Sequence, residues 1–177
     1  DPKIMLAENE VCQRLPGTDG KAKMSKSIGN CIYLADTSED VRKKVMSMYT
    51  DPNHLKVEDP GTVEGNTVFT YLDCFCKDEY FEKYLPDYKN LDELKEHYRR
   101  GGLGDVKKFL FNVLEETLNP IRERRAVLQA DIAAVMKVLE DGCVKANEKA
   151  NATLKRAKDA MKINYFDDKD NITEYFK

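Results

Sequence analysis

The sequence of 177 residues predicts a mainly α fold, a helical bundle with a short α/β segment in front of it. After residue 36, apolar residues recur every three or four positions, which is the period of a helix that buries one face. Before that point Pro and Gly are frequent and the period is missing, which indicates loops and short extended structure. Because this first segment is too small to form a sheet alone, we expect it to be the edge of a larger domain. The chain therefore divides into residues 1–36 and 37–177.

The first two helices are predicted from the residues that precede them. Residues 37–40, Thr-Ser-Glu-Asp, are typical of a helix start, because the hydroxyl can accept from a free backbone N–H and carboxylates favour the positive end of the helix dipole. Asp51-Pro52 should end this helix, and a loop should cover residues 51–65. Asn66 should cap the second helix. The expected core residues of this region are Val41, Val45, Met46, Met48, Val68, Phe69, Leu72 and Phe75.

Three shorter elements are also predicted. Ile32-Tyr33-Leu34 is expected to be a brief strand or an extended entry to the first helix. A short helix should run from Tyr80 to Leu85 and end before Pro86. Another should run from Leu91 to Arg100, where Gly101-Gly102 would close it.

The last part of the chain predicts two long helical stretches. Asp105 should cap a helix with one apolar face, and Pro120 should kink or break it, since proline lacks the N–H and its ring clashes with the preceding turn. Asp141-Gly142 is expected to form a corner before a last helix from Cys143 to Met161, and the tail 167–177 is expected to fray. The residues expected to face inward on the last helix are Val144, Leu154, Ala157 and Met161.

Composition excludes several classes of protein. Lys and Arg number 29 against 32 Asp and Glu, so the chain is not coated in positive charge, although a local basic patch remains compatible with these counts. No run approaches the roughly 18 apolar residues that a membrane span needs, so we expect no membrane partner. The scattered cysteines indicate reduced thiols in a cytoplasmic protein, and we expect no metal site. These cysteines are Cys12, Cys31, Cys74, Cys76 and Cys143.

The run from Leu15 to Asn30 carries most of the candidate chemistry. Three lysines and two serines lie there between glycines. Glycine lets a backbone turn and approach a ligand closely, lysine ammonium groups suit phosphate oxygens, and hydroxyls add donors. Such a loop could hold a polyphosphate, but composition alone favours an ordinary solvated loop. The pattern G-x-x-x-x-G-K-S/T of a P-loop is absent from the sequence.

The order of residues in this run carries a family resemblance. Residues 23–27, Lys-Met-Ser-Lys-Ser, reproduce the KMSKS signature of class I aminoacyl-tRNA synthetases. With its flanks, the run closely resembles the bacterial-type tryptophanyl-tRNA synthetases. The resemblance continues in the same order through nearly the whole chain, in the runs Val45–Pro52, Gly101–Lys107, Pro120–Arg125 and Lys145–Met161.

The resemblance implies a reaction and a set of site residues. The family activates tryptophan with ATP, giving tryptophanyl-adenylate and pyrophosphate, and then transfers tryptophan to tRNA(Trp) for protein synthesis. The KMSKS loop would close over the ATP triphosphate, which Mg²⁺ accompanies. Lys23 and Lys26 are the implied catalytic residues, since their charges would stabilise the departing pyrophosphate. The implied ATP-binding residues are Gly20, Lys23, Met24, Ser25, Lys26 and Ser27.

The resemblance also implies an organisation. Residues 1–36 would be the C-terminal edge of the class I Rossmann catalytic domain, and residues 37–177 the helical anticodon-binding domain. The family's other signature, of the His-Ile-Gly-His type, is not in the sequence. We therefore expect a C-terminal fragment that cannot activate tryptophan alone. The parent protein is expected to be a homodimer and the fragment a monomer.

Two basic regions are candidates for tRNA contact. Arg122 and Arg125 follow Pro120, and arginine forks match phosphate oxygens, although a charged helix face with internal ion pairs would contain the same residues. Lys155 and Arg156 lie in a stretch from 145 to 162 that holds six cations and two acids. Such a stretch is the expected footprint of a nucleic acid backbone, or an ordinary solvated face.

Three alternatives remain at this point. A tyrosyl-tRNA synthetase fragment would carry the same type of loop, because the pocket that selects the amino acid lies outside this sequence. A non-catalytic helical RNA-binding module would bind tRNA without any effect of ATP. A protein-interaction bundle would show no salt-dependent RNA binding.

Overall fold

The computed structural model describes residues 3–6, 10–21, 23–49, 59–101 and 105–164. The chain forms two compact units, Asp1–Arg124 and Arg125–Lys177. The described part is mostly helical, and it holds a 3₁₀ turn at Glu10–Gln13 and six α-helices. The helices are α1 (Ser38–Met46), α2 (Thr67–Phe75), α3 (Glu79–Tyr84), α4 (Leu91–Arg100), α5 (Val106–Ala130) and α6 (Ile132–Met161). The prediction that Asp51-Pro52 ends the first helix is wrong, because α1 already ends at Met46, where the Ser47 N–H caps it. The predictions for Gly102 and the tail 167–177 lie outside the described residues.

Thr37 starts α1 as predicted. Its hydroxyl oxygen accepts from the Asp40 N–H at 3.2 Å, and the Asp40 carboxylate accepts from the Thr37 N–H at 3.3 Å. This reciprocal pair is a capping box, which satisfies two backbone donors that the helix leaves free. The hydrogen bonds from Thr37 hold the pKa of Asp40 below its ordinary value of 3.8.

The core of the first unit lies where the apolar faces of α1 to α5 are buried, with α3 contributing Phe81. Met48 is 2% exposed, but Met46 is 40% exposed, so the prediction that both belong to the core is wrong for Met46. The reason is helical geometry, because Met46 lies one position off the face that Val41 and Val45 define. The largest fully buried side chains include Tyr71, Phe69, Phe81, Phe109, Met48, Leu72, Leu94 and Leu110.

The short helices agree with their predicted positions. Asn66 caps α2, since its Oδ1 accepts from the Val68 N–H at 3.1 Å. Its Nδ2 donates to the Tyr98 hydroxyl at 3.4 Å, which connects the start of α2 to α4. The bounds of α4 are the predicted ones, and α3 is displaced by one residue from the predicted Tyr80–Leu85.

Lys107, near the start of α5, closes the end of α1. Its Nζ donates to the Met46 carbonyl oxygen at 2.9 Å and to the Met48 carbonyl oxygen at 2.8 Å. A cation there satisfies carbonyls that the helix leaves free and neutralises the negative end of the dipole. Burial lowers the pKa of Lys107 from its ordinary value of 10.5.

Pro120 lies inside α5, which runs from Val106 to Ala130. Of the two outcomes predicted for Pro120, a kink or a break, the break is therefore wrong, and the kink stays a prediction. Proline removes one intrahelical hydrogen bond, whereas the residues before it bury an apolar face that ends at Leu118, 5% exposed. That packing holds the helix on the N-terminal side of the proline.

The predicted corner at Asp141-Gly142 is also wrong, because α6 is helical from Ile132 to Met161. Lys137 Nζ lies 2.8 Å from Asp141 Oδ1, an i,i+4 ion pair that supports helix at this point. A glycine costs a helix only about 1 kcal/mol, which a long run of good helix formers offsets. The residues predicted to face inward are exposed, with Val144 at 54%, Leu154 at 52% and Met161 at 62%.

The segment before α1 contains no strand among its described residues. Of the two structures predicted for Ile32-Tyr33-Leu34, the strand is wrong: residues 32 and 33 have no regular structure and residue 34 is in a turn. No neighbouring strand in the described part offers this backbone a ladder. An isolated antiparallel bridge joins Pro16 and Lys23. No helix in the described part is long and apolar enough to cross a membrane. The proposed division of the chain at residue 36 stays a prediction.

Candidate functional site

The loop from Leu15 to Asn30 is a closed structure in the first unit. The bridge between Pro16 and Lys23 brings its first half together. Within it, the Gly20 N–H donates to the Gly17 carbonyl oxygen at 3.0 Å, and Gly20 has φ of 68°. That left-handed backbone costs an L residue energy but not glycine, so Gly20 makes this tight turn feasible.

Asn30 joins the two halves of the loop. Its side chain lies inside the loop, 4% exposed, and its Oδ1 accepts from the Ser25 N–H at 2.8 Å. Its Nδ2 donates to Asp19 Oδ1 at 3.1 Å and to the Lys23 carbonyl oxygen at 3.3 Å. The sequence prediction missed Asn30, although Gly-Asn after the signature was a visible signal of a turn with a short polar side chain.

Two backbone carbonyl oxygens of the loop accept hydrogen bonds from the helical part of the first unit. The Tyr71 hydroxyl in α2 donates to the Pro16 carbonyl oxygen at 2.8 Å, and the Tyr49 N–H donates to the Thr18 carbonyl oxygen at 3.1 Å. Tyr71 is 1% exposed, and burial raises the pKa of its hydroxyl, so it stays a neutral donor at physiological pH. The loop is therefore connected to α2 and to the residues that follow α1.

The signature residues lie on the open side of this loop. Lys23, Lys26 and Ser27 are exposed, while Met24 is half-buried against the core. The Ser25 and Ser27 hydroxyl oxygens lie 2.8 Å apart, and the Gly29 N–H donates to the Ser25 carbonyl oxygen at 3.1 Å. The backbone is thus held while the cations and hydroxyls face solvent, where an anionic ligand could reach them.

A shallow cleft of about 260 Å³ adjoins the loop. Three cationic residues, Arg14, Lys21 and Lys23, contribute to its lining together with Leu15, Pro16 and Gly20. Grouped cations lower the cost of holding a polyphosphate. Arg14 was missing from the predicted site, and only its position just before the loop could have indicated it.

The predicted arginines differ in their surroundings. Arg122 Nη2 lies 2.5 Å from Glu115 Oε2, and its Nη1 donates to the Asp36 carbonyl oxygen at 3.3 Å. The Arg122 side chain is 17% exposed, and its hydrogen bond holds α5 against Asp36, two residues before α1. Arg125 is exposed, as are Lys155 and Arg156 on α6.

Two neighbouring cysteines on and after α2, Cys74 and Cys76, are poor nucleophiles. Burial raises the pKa of the Cys74 thiol and of the Cys76 thiol to about 12, so both are protonated at neutral pH. No group of three or more His, Cys, Asp or Glu side chains in the described ranges is placed so that it could hold a metal ion.

A loop with this signature on a helical support defines a class of protein, and the chain belongs to the tRNA synthetases class I (W and Y). That family matches residues 2–119, more than half of the chain. Within it, the chain is similar to tryptophan–tRNA ligases. It is 56% identical over 168 residues to that of Clostridium longisporum, and 54% identical over 168 residues to that of Streptococcus pyogenes serotype M3.

These alignments cover 94% of this chain but only 46% and 47% of the two relatives, so the chain spans less than half of their length. Solved structures agree. The tryptophanyl-tRNA synthetase of Campylobacter jejuni complexed with ADP and tryptophan matches 86% of this chain and 44% of its own, with a TM-score of 0.68 at 25% identity. A second structure of the Campylobacter jejuni protein gives a TM-score of 0.66.

Proposed function

We propose that this chain is the C-terminal part of a tryptophan–tRNA ligase, which activates tryptophan with ATP and transfers it to tRNA(Trp). The observation that carries the proposal is the KMSKS segment, Lys23–Ser27, in a loop whose backbone is fixed while its lysines face solvent beside a cationic cleft. The identity of 54–56% to tryptophan–tRNA ligases supports tryptophan rather than tyrosine as the amino acid.

In the reaction, a carboxylate oxygen of tryptophan attacks the α-phosphorus of ATP, and the bond to the β-phosphate breaks to release pyrophosphate. The ammonium groups of Lys23 and Lys26 would stabilise the charge on the leaving group, which is where catalysis of such a step is strongest. Ser25 and Ser27 would donate hydroxyls to phosphate oxygens, and Gly20 and Met24 would shape the backbone around them. Mg²⁺ would arrive on the phosphates of ATP, its usual carrier in such sites.

We also propose how the chain is divided into domains and how the parent protein is assembled. Residues 1–36 are the edge of the Rossmann catalytic domain, and residues 37–177 form the anticodon-binding domain. The parent protein is a cytoplasmic homodimer that binds tRNA(Trp), tryptophan and ATP, and this chain alone is a monomer without activation activity. Pyrophosphate exchange by the isolated chain would contradict the last statement.

Limited proteolysis tests the ATP loop in this chain. Trypsin should cut after the exposed lysines Lys21, Lys23 and Lys26, and MgATP should slow those cuts. Cuts after Lys155 and Arg156 on α6 serve as the internal control and should proceed at the same rate. Equal rates at the loop with and without MgATP would count against the proposal.

A chimera tests catalysis directly. In it, this chain replaces the 168 residues that it matches in the Clostridium longisporum ligase. The chimera should catalyse tryptophan-dependent pyrophosphate exchange, and Lys26→Ala should reduce the rate by roughly a hundredfold, because one donor to developing charge is worth that much. Pyrophosphate exchange that depends on tyrosine instead would favour the alternative, a tyrosyl-tRNA synthetase.

The tRNA contacts are proposed for Arg122, Arg125, Lys155 and Arg156. The exposed Lys155 and Arg156 are free to reach a phosphate backbone, whereas Arg122 already holds Glu115 and would need to exchange that partner. Arg125→Ala should therefore weaken tRNA binding without loss of stability, and Arg122→Ala should lower stability as well. Binding that is unchanged in Arg125→Ala would remove this residue from the interface.

A non-catalytic RNA-binding module is the second candidate, because exposed cations on α6 need no ATP. Salt-sensitive tRNA binding together with an inactive chimera would favour it.

A further inference from the structure

We propose that Asn30 is a positioning residue for the phosphate-binding loop, and that its carboxamide sets where the ammonium groups of Lys23 and Lys26 are presented. The inference rests on the proposed function of the loop as the ATP site. It goes further by assigning control of the loop's geometry to a residue outside the five-letter signature.

The hydrogen bonds of Asn30 hold the backbone on both sides of Met24. One bond, at 2.8 Å, fixes the Ser25 N–H, and another, at 3.3 Å, fixes the Lys23 carbonyl oxygen. The second amide proton goes to Asp19 at 3.1 Å, on the opposite half of the loop. A carboxamide offers two donors and one acceptor oxygen, so this side chain uses each of its polar atoms.

The space around Asn30 fits this side chain closely. A Cβ built on Gly17 would lie 2.0 Å from the Asn30 Nδ2, so only glycine leaves room for the amide. The Asn30 carbonyl oxygen also accepts from the Thr18 N–H at 3.0 Å, which fixes the backbone of Asn30 itself. Aspartate at position 30 would keep the bond from Ser25 but place a second carboxylate against Asp19.

This anchoring matters because the lysine side chains are long and exposed. Their ammonium groups can reach a phosphate consistently only when the backbone that carries them is held in one place. A displacement of about 1 Å in a catalytic group can cost a hundredfold in rate. Asn30 lies three residues beyond the signature, touches both halves of the loop, and never needs to contact ATP.

Two measurements test the inference. In this chain, Asn30→Ala should speed amide hydrogen exchange at Ser25 by at least about tenfold, because its acceptor is removed. In the chimera, Asn30→Ala should lower kcat for pyrophosphate exchange by about tenfold or more, with KM for tryptophan unchanged within about twofold. Asn119→Ala is the matched control, since Asn119 is an exposed asparagine on α5 whose amide donates to Glu123 at 2.9 Å.

A charge exchange separates positioning from folding. Asn30→Asp should reduce kcat because two carboxylates then face each other. Adding Asp19→Asn to that variant should raise kcat at least about threefold above Asn30→Asp alone, since an amide again meets a carboxylate. Asp19→Asn alone completes the cycle. This rescue decides the question if Asn30→Ala fails to fold.

The inference is overturned if Asn30→Ala changes neither Ser25 exchange nor kcat, or if kcat falls only in proportion to folded protein. It is also overturned if the double variant is no better than Asn30→Asp. Failure of the proposed function is a different result: the unaltered chimera would show no pyrophosphate exchange, while the effect of Asn30→Ala on Ser25 amide exchange would still appear.

Discussion

Thr37, Asn66 and Asn30 each place a short polar side chain on backbone N–H groups that have no partner in a regular element. For the two helix caps the partner is two or three residues away, so the sequence alone indicated them. Asn30 bonds to residues 5, 7 and 11 positions earlier, and that geometry exists only once the loop has closed. Local contacts were thus predictable, and contacts across the loop were not.

The first prediction at this scale concerns the α1 cap. Thr37→Ala should lower the free energy of unfolding by about 1 kcal/mol at neutral pH, measured by urea titration. The pKa of Asp40 is depressed in the folded chain, so its contribution is present above pH 3.8 and is lost as pH falls through the folded value. The difference from the unaltered chain should therefore shrink in acid. Ser38→Ala, at the exposed residue next to Thr37, is the control. An equal loss of unfolding free energy in both variants would contradict the role of Thr37 as the cap.

Gly17 provides a second prediction. Gly17→Ala should displace the Asn30 amide and speed amide exchange throughout residues 17–30. Gly17→Ala and Asn30→Ala should not be additive, because each removes the same set of hydrogen bonds. Gly29→Ala is the comparison: its Cβ meets nothing within 4 Å, and only its φ of 77° adds strain. Additive effects on exchange would show that Gly17 acts separately from Asn30.

At the scale of elements, the wrong predictions came from treating helix breakers as decisive. Pro120 and Gly142 both lie inside long helices. Each breaker acts on one turn, whereas the apolar burial before Pro120 extends over several turns. At Gly142 the cost is small, and the Lys137–Asp141 ion pair supports the turn just before it. Helix existence was predictable from periodicity, and the starts of α1 and α2 were predictable because Thr37 and Asn66 can cap them. The end of α6 at Met161 was predicted from the apolar pattern alone.

Pro120→Ala should stabilise the chain. It returns a backbone donor to α5 and removes the ring's clash with the preceding turn, a gain of about 1–3 kcal/mol. Thermal unfolding followed by circular dichroism measures it. The control is Asn119→Ala, which alters the adjacent exposed residue without restoring a backbone bond. A stability unchanged by Pro120→Ala would mean that the helix has already adapted around the proline.

Tyr71→Phe tests how α2 supports the loop. The change removes the hydroxyl that donates to the Pro16 carbonyl oxygen and leaves that oxygen without this partner, at a cost of about 1–2 kcal/mol. Amide exchange in residues 16–30 should become faster while α4 is unaffected. Tyr33→Phe, at an exposed tyrosine before α1, is the control. Slower or unchanged loop exchange would exclude this bond as a support.

At the scale of the whole molecule, charge is unevenly distributed. The net charge of −3 averages acidic surfaces with a cationic loop and the exposed cations of α6. The mainly α class was predictable because it depends on periodicity alone. The expected burial of α6 was wrong, since a periodic apolar pattern shows which face can be covered but not whether this chain covers it.

Salt dependence tests the α6 cations. Lys155→Ala with Arg156→Ala should weaken tRNA binding and reduce the slope of log affinity against log salt by about 1.5, as expected for two phosphate contacts. Lys137→Ala is the matched control, because that lysine on the same helix is paired with Glu140 and Asp141. If the slope of log affinity against log salt stays the same in the double variant, or falls equally in the control, Lys155 and Arg156 do not contact the tRNA.

The contact between Lys107 and the end of α1 has a consequence for synthesis on the ribosome. Lys107 follows Met46 by 61 residues, so the carbonyl oxygens at the end of α1 lack this hydrogen-bond donor until Lys107 has left the exit tunnel. The start of α1, in contrast, is complete as soon as Asp40 emerges. The nascent chain should therefore acquire a frayed α1 first and a finished one only when α5 begins to form.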